Sequence, residues 1–168
     1  GESEIPVGSW PVAITATIDQ NNVLVAHRAS DTIGLVSVEE KKIIDNIPVG
    51  DEPTNIVVHP NGKFAYVSLI TEGKVAVVDL EKRETIETWS AVRDAYAMDI
   101  TEDGSALIIV SKRSGHTSRF PYESDSIDQE IDGVLLSTTT GETLQEYYSL
   151  GGTNNAVLFA ADDLSFYI

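Results

Sequence analysis

Residues 5–46 read IPVGSWPVAITATIDQNNVLVAHRASDTIGLVSVEEKKIIDN, and residues 47–88 read IPVGDEPTNIVVHPNGKFAYVSLITEGKVAVVDLEKRETIET. Laid over one another without a gap, Ile5, Pro6, Val7, Gly8 and Pro11 fall on Ile47, Pro48, Val49, Gly50 and Pro53, a spacing of 42. A fixed period of this length means that one supersecondary unit is being repeated. A third copy starts near Trp89, with Met98 falling where Ile56 does and Asp103-Gly104 where Asn61-Gly62 does. It then swells. DGVLLSTTTGETLQEY, from Asp132, resembles GKVAVVDLEKRETIET, from Gly73, at an offset of 59 in place of 42, so an insertion must make up the difference. A fourth copy keeps the longer offset and ends with Ser165-Phe166-Tyr167-Ile168 in the place of Phe64-Ala65-Tyr66-Val67.

Within the second copy, four short runs rich in Val, Ile, Thr and Tyr lie at about 54–58, 63–68, 74–79 and 84–88. Each is too short for an ordinary helix, and the apolar spacing of three and four that a helix requires is absent. The first two runs are joined by His59-Pro60-Asn61-Gly62, where Asn-Gly readily supplies the positive φ angles of a tight hairpin. Four antiparallel strands in a repeat of this length make one blade of a β-propeller. The expected architecture is therefore all-β, a partial propeller of about three and a half blades. Their bounds are about 5–46, 47–88, 89–147 with an insertion at 112–133, and a half blade at 148–168. Propellers close with four to eight blades because closure protects sheet edges. The expectation is thus a piece of a longer protein whose ring is seven-bladed.

The motifs IPVGDEPTNIVVHPNGKFAYVS and KVAVVDLEKRETIET resemble the YVTN-type β-propeller repeat. That family carries a Pro-Val-Gly-x-x-Pro turn, an Asp/Asn-Gly hairpin, a Tyr-Val-x-Asn-like strand and a Val-Asp-x-x-Thr strand. The first copy departs from it with Leu24-Val25-Ala26-His27, and the third with Ile108-Ile109-Val110 and the insertion. The resemblance implies architecture and leaves function open, because such blades occur in surface proteins, in cytochrome-associated proteins and in enzymes. It also implies a place outside the cytoplasm, in the periplasm or at the cell surface.

Composition narrows the partners. Eleven Lys and Arg against 27 Asp and Glu give a formal charge of −16, which repels nucleic acid phosphates and favours a cation or a basic protein as partner. No apolar stretch reaches the roughly 18 residues that a membrane-crossing helix needs. The absence of cysteine removes disulfides, thiolate metal sites and c-type haem attachment, so no cofactor is expected within this segment. Elbow, zincin, phosphate-loop and dinucleotide motifs are missing as well.

Blade topology sends the linkers between copies and the loops between second and third strands to one face, and binding residues favour loops held by a rigid scaffold. The ligand-binding candidates on this face are His27, Arg28, Asp31, Asp51, Arg93, Asp94, His116 and Arg119. Glu123, Asp125 and Asp128 in the insertion offer carboxylate oxygens for calcium, though without the spacing of an EF-hand. His27 and His116 would suit a transition metal if a third ligand stood near. Trp10 is expected to pack inward. The first functional reading is a non-catalytic recognition or scaffold module. The alternatives are the propeller portion of a haem- or quinone-associated redox enzyme and a lactonase-like hydrolase.

Overall fold

A computed structural model describes residues 4–113, 131–148, 150, 154, 156–160 and 165–168. The first sheet contains β1 (Pro11–Ala16), β2 (Asn22–His27), β3 (Thr32–Ser37) and β4 (Lys42–Pro48) in that spatial order. The second repeats the order with β5 (Pro53–Val58), β6 (Phe64–Leu69), β7 (Lys74–Asp79) and β8 (Glu84–Ser90). The third holds β9 (Ala95–Ile100), β10 (Ala106–Ser111), β11 (Ile131–Ser137) and β12 (Thr143–Tyr148), and β13 (Leu158–Phe159) pairs with β14 (Phe166–Tyr167). Every pairing is antiparallel. The first strands stack on one another across sheets, β1 on β5, β5 on β9 and β9 on β13. A stack of first strands with later strands radiating outward is a partial β-propeller.

Each sheet is buried on both faces where it has a neighbour. Leu24, Ile33, Leu35 and Ile47 of the first sheet meet Ile56, Ala65, Val67, Ala76 and Val78 of the second. Tyr66, Val75, Val77 and Trp89 then meet Met98, Leu107, Ile109, Val134 and Leu136 of the third. Ala97, Ile108 and Val110 close the series against Val157, Phe159 and Phe166. The apolar strands are thus explained by sheet-on-sheet packing, in which alternate residues serve opposite interfaces. Polar ties lie among them. The Ser68 hydroxyl donates to the Tyr96 carbonyl at 2.8 Å, and the Phe159 amide donates to the Asp99 carboxylate at 2.7 Å.

The hairpin between first and second strands differs from the expected tight Asn-Gly turn. The Gly62 amide donates to the His59 carbonyl, closing a turn over Pro60 and Asn61, and of the last two residues only Gly62 has a positive φ, of 72°. Gln20 at 59° and Gly104 at 76° hold the same place in the repeats to either side. The side chain before each one ties the turn down: Asp19, Asn61 and Asp103 accept from the amides of Asn21, Lys63 and Ser105. An acceptor two residues upstream of the amide is the Asx-turn arrangement.

Strand pairing also redistributes the extra residues of the third repeat. Phe64 faces Asp79, and Ala106, its counterpart in the next repeat, faces Ser137. Ser137 lies 58 positions after Asp79, so the insertion between β10 and β11 is one residue shorter than the offset of 59 implies. The same 58 separates Glu87 from Gln145 in the fourth strands. The 59 returns only at β13, where Leu158 faces Tyr167 as Asp99 faces Ile108. The last extra residue therefore enters between β12 and β13. A one-residue slip reverses every side chain of a strand. Val134 and Leu136 take the face held by Ala76 and Val78.

Candidate functional site

The linkers and the loops between second and third strands converge on one end of the sheets, and two neighbouring groups of polar contacts tie the first two sheets together there. The backbone frame repeats. Trp10, Glu52 and Asp94 each adopt a left-handed conformation, with φ of 57°, 52° and 52°, and their carbonyls accept from the amides of Arg28, Ile70 and Lys112. A bulky side chain in this region is uncommon and costs local strain.

Trp10 is 63% exposed, which corrects the expectation that it packs inward. The Arg28 guanidinium lies 5.2 Å from the centre of its ring, within cation–π range. One Arg28 nitrogen, Nη2, donates to Glu52 Oε2 at 3.1 Å, and Nε is buried without a hydrogen-bond partner. Glu52 Oε2 also accepts from the Thr71 hydroxyl at 2.8 Å. The Thr71 hydroxyl and then Arg28 hold the Glu52 carboxyl below the usual carboxylate range. The Glu52 amide donates to Asp31 Oδ1, and the Asp51 amide to Glu72 Oε1, both at 3.0 Å. Glu72 in turn pairs with Lys74 at 2.9 Å.

The structure joins Arg28 and Asp31 through Glu52, and ties the neighbouring Asp51 through its amide to Glu72. Arg93 and Asp94 lie on the next linker, where the Lys112 ammonium stands 3.8 Å from the ring centre of Tyr96. His27 is set apart from both. It is fully buried, with Nε2 accepting from the Gly8 amide at 3.1 Å and Nδ1 3.3 Å from the Thr32 hydroxyl. Burial holds its imidazole below the ordinary value, so the ring is neutral and fills space beneath the linker. Both nitrogens are occupied, which corrects its assignment as a ligand contact or metal ligand. His116, Arg119, Glu123, Asp125 and Asp128 lie outside the described residues. Among the described residues no three His, Asp or Glu gather as a metal site requires.

Two clefts between neighbouring sheets open on the opposite end. A cleft of about 530 Å³ between the first and second sheets is lined by Thr17, Asp19, Asn61, Lys63, Glu81 and Arg83. A second, of about 350 Å³, lies between the second and third sheets, with His59, Tyr66, Trp89 and Glu87 in its wall. The Trp89 indole donates to Glu87 at 2.7 Å and lies 5.5 Å from Tyr66, whose hydroxyl is pushed up to about 12 by burial. The signal for this cleft was present in the aromatics at 64, 66 and 89, which the first repeat replaces with Asn22, Leu24 and Ile47.

No family model matches the chain. Antigen Lp49 of Leptospira interrogans serogroup Icterohaemorrhagiae serovar copenhageni is 29% identical over 104 residues, which cover 54% of this chain and 23% of the antigen. Among solved structures, Kuenenia stuttgartiensis hydrazine synthase is similar in fold, with a TM-score of 0.77 and 22% identity over 91% of this chain and 41% of that one. The chain therefore spans under a quarter of the curated relative and about two-fifths of the solved chain. At 22% identity, the structural likeness shows the fold alone.

Proposed function

We propose that this chain is a recognition and scaffold part of a larger, extracytoplasmic propeller protein of the YVTN repeat type, engaging a partner through the linker face. The observation that carries this reading is Trp10. An indole 63% exposed, held in a left-handed backbone and backed by an arginine that Glu52 fixes, is a pre-organised contact of the kind that dominates interfaces. The surrounding carboxylates of Asp31, Asp51 and Glu52, together with the charge of −16, favour a basic partner. A relative named as an antigen is in keeping with a place outside the cytoplasm.

The test is binding of immobilised chain to matched lysine/arginine-rich and aspartate/glutamate-rich peptide libraries. Basic peptides should be retained, and Trp10→Ala should weaken them by at least about tenfold, the loss of an interface anchor. Ile86→Ala, far out on β8, should change nothing. Retention that ignores Trp10 would move the contact elsewhere. A redox reading, in which the propeller accompanies a haem or quinone centre, draws on the fold likeness to hydrazine synthase. Its test is haem and quinone absorption in the longest natural form of the protein.

A further inference from the structure

The two clefts are equivalent places in successive repeats. Thr17, Asp19, Asn22 and Leu35 in the wall of the first occupy the positions of His59, Asn61, Phe64 and Val77 in the wall of the second. The opposite wall comes from the next sheet, with Leu80 and Glu81 in the first cleft where Thr138 and Thr139 stand in the second. That correspondence follows from the offset of 58 set by strand pairing, in which Phe64 faces Asp79 and Ala106 faces Ser137.

Charge separates the two places. At the first cleft the carboxylate of Asp45, on β4, lies 3.8 Å from the Arg83 guanidinium, which reaches over from the turn between β7 and β8. Glu87 on β8 is the counterpart of Asp45, since Asp45 faces Leu35 as Glu87 faces Val77. The counterpart of Arg83 is Gly141. Both are left-handed, with φ of 59° and 71°, and their amides donate to the equivalent carbonyls of Asp79 and Ser137. Glycine supplies no cation there, and the Trp89 indole takes up the adjoining space, where a β-carbon on Gly141 would lie 2.5 Å from Cδ1.

Glu87 is thereby left with a neutral partner. Its Oε2 accepts from the Trp89 indole at 2.7 Å, which orients the carboxylate, and among the described residues no Lys or Arg pairs with it. It is exposed, and no other Asp, Glu, Lys or Arg stands in the wall of this cleft among the described residues. The first cleft, in contrast, has Lys63 and Arg83 beside Asp19 and Glu81. Half-buried His59 and Phe64 add ring surface to the second cleft. A carboxylate beside aromatic rings suits a guanidinium, which is planar, weakly hydrated, and able both to pair with carboxylates and to pack on rings.

We propose that the cleft between the second and third sheets binds an alkylguanidinium, whose cation pairs with Glu87 as Arg83 pairs with Asp45 at the first cleft. The group is either a free small molecule or the side chain of an arginine on a partner chain. The inference rests on the comparison of the two clefts and not on the recognition role proposed for Trp10, so either can fail alone.

The chain has two tryptophans, and each indole N–H reports on its own place. In an NMR spectrum of the isotope-labelled chain, the Trp89 signal is the one that Trp10→Phe retains. It should shift saturably with millimolar ethylguanidinium at constant ionic strength, and ethylurea, a neutral analogue of similar shape, should leave it in place. Glu87→Gln should weaken the titration at least about tenfold, the loss of a hydrogen bond to a charged group. Trp10→Phe should leave it unchanged. A pentapeptide with one arginine among glycines separates the two sources: tighter binding than ethylguanidinium assigns the site to a partner's side chain, and equal or weaker binding assigns it to a free ligand. Absence of a shift, an equal response to ethylurea, a response confined to the Trp10 indole, or undiminished binding in Glu87→Gln would each overturn the proposal.

Discussion

Gly8 stands so close against the imidazole of His27 that a β-carbon on Gly8 would lie 2.6 Å from Nδ1. The linker of the second sheet repeats the relationship with different chemistry, a β-carbon on Gly50 falling 2.7 Å from Leu69 Cδ1. In the third, bulk moves to the other side, with buried Val92 in the glycine position and Ser111 at the end of the second strand. The pairs are matched for volume, as dense interiors require.

Exchange of volume between these positions should therefore be tolerated and one-sided growth should not. Gly8→Ala is expected to destabilise by about 1 to 3 kcal/mol through overpacking. Adding His27→Ser, the residue at position 111, should recover part of that loss. A double-mutant cycle by denaturant unfolding measures the coupling, and purely additive effects would show that the two positions do not compete for space.

His27 also makes the fold sensitive to acid. Burial lowers its folded-state value below the 6.5 of the free side chain, so the unfolded chain binds the proton first. Its contribution is fully present above about pH 6.5 and is lost as pH falls from there toward the folded-state value. The melting temperature should fall between pH 7.5 and 5. His27→Leu, which installs the residue found at position 69, should flatten that part of the profile.

Asp103 governs a lower range. Hydrogen bonds from the Ser105 amide, the Ser105 side chain and the Thr101 hydroxyl hold its carboxyl down to about 2. Its contribution is present above the ordinary 3.8 and is lost as pH falls toward 2. Asp103→Asn keeps an acceptor for the turn, as Asn61 does in the second repeat, and should melt near the wild-type temperature at pH 7 without that acid dependence. NMR titration of the Asp103 carboxyl carbon reads the value directly.

Gln20 carries a left-handed φ of 59° where the other two repeats have Gly62 and Gly104. Gln20→Gly should stabilise the chain by up to about 1 kcal/mol through relief of that strain. Gly62→Gln should destabilise it by a similar amount. Chemical denaturation of both variants would expose a wrong assignment if the signs were reversed.

Period, strand number and blade order were legible because they are local. Pro48-Val49-Gly50, Asn61-Gly62 and the short β-branched runs encode turns and strands within a few residues of themselves, and repetition at a fixed spacing of 42 amplifies the signal. The register of β11 was not legible. Val134-Leu135-Leu136 is apolar on both faces, so its pattern carries no parity, and only pairing with β10 places Val134 and Leu136 against the second sheet. The site divided in the same way. That Arg28, Asp31 and Asp51 share one end follows from topology, but the exposure of Trp10 and the enclosure of His27 depend on what stands beside them. An indole and an imidazole are each equally suited to a core or a surface. Glu52 and Arg28 at one side, and Gly8 and Gly34 at the other, decide between the two through contacts formed only when the linker folds over the sheet.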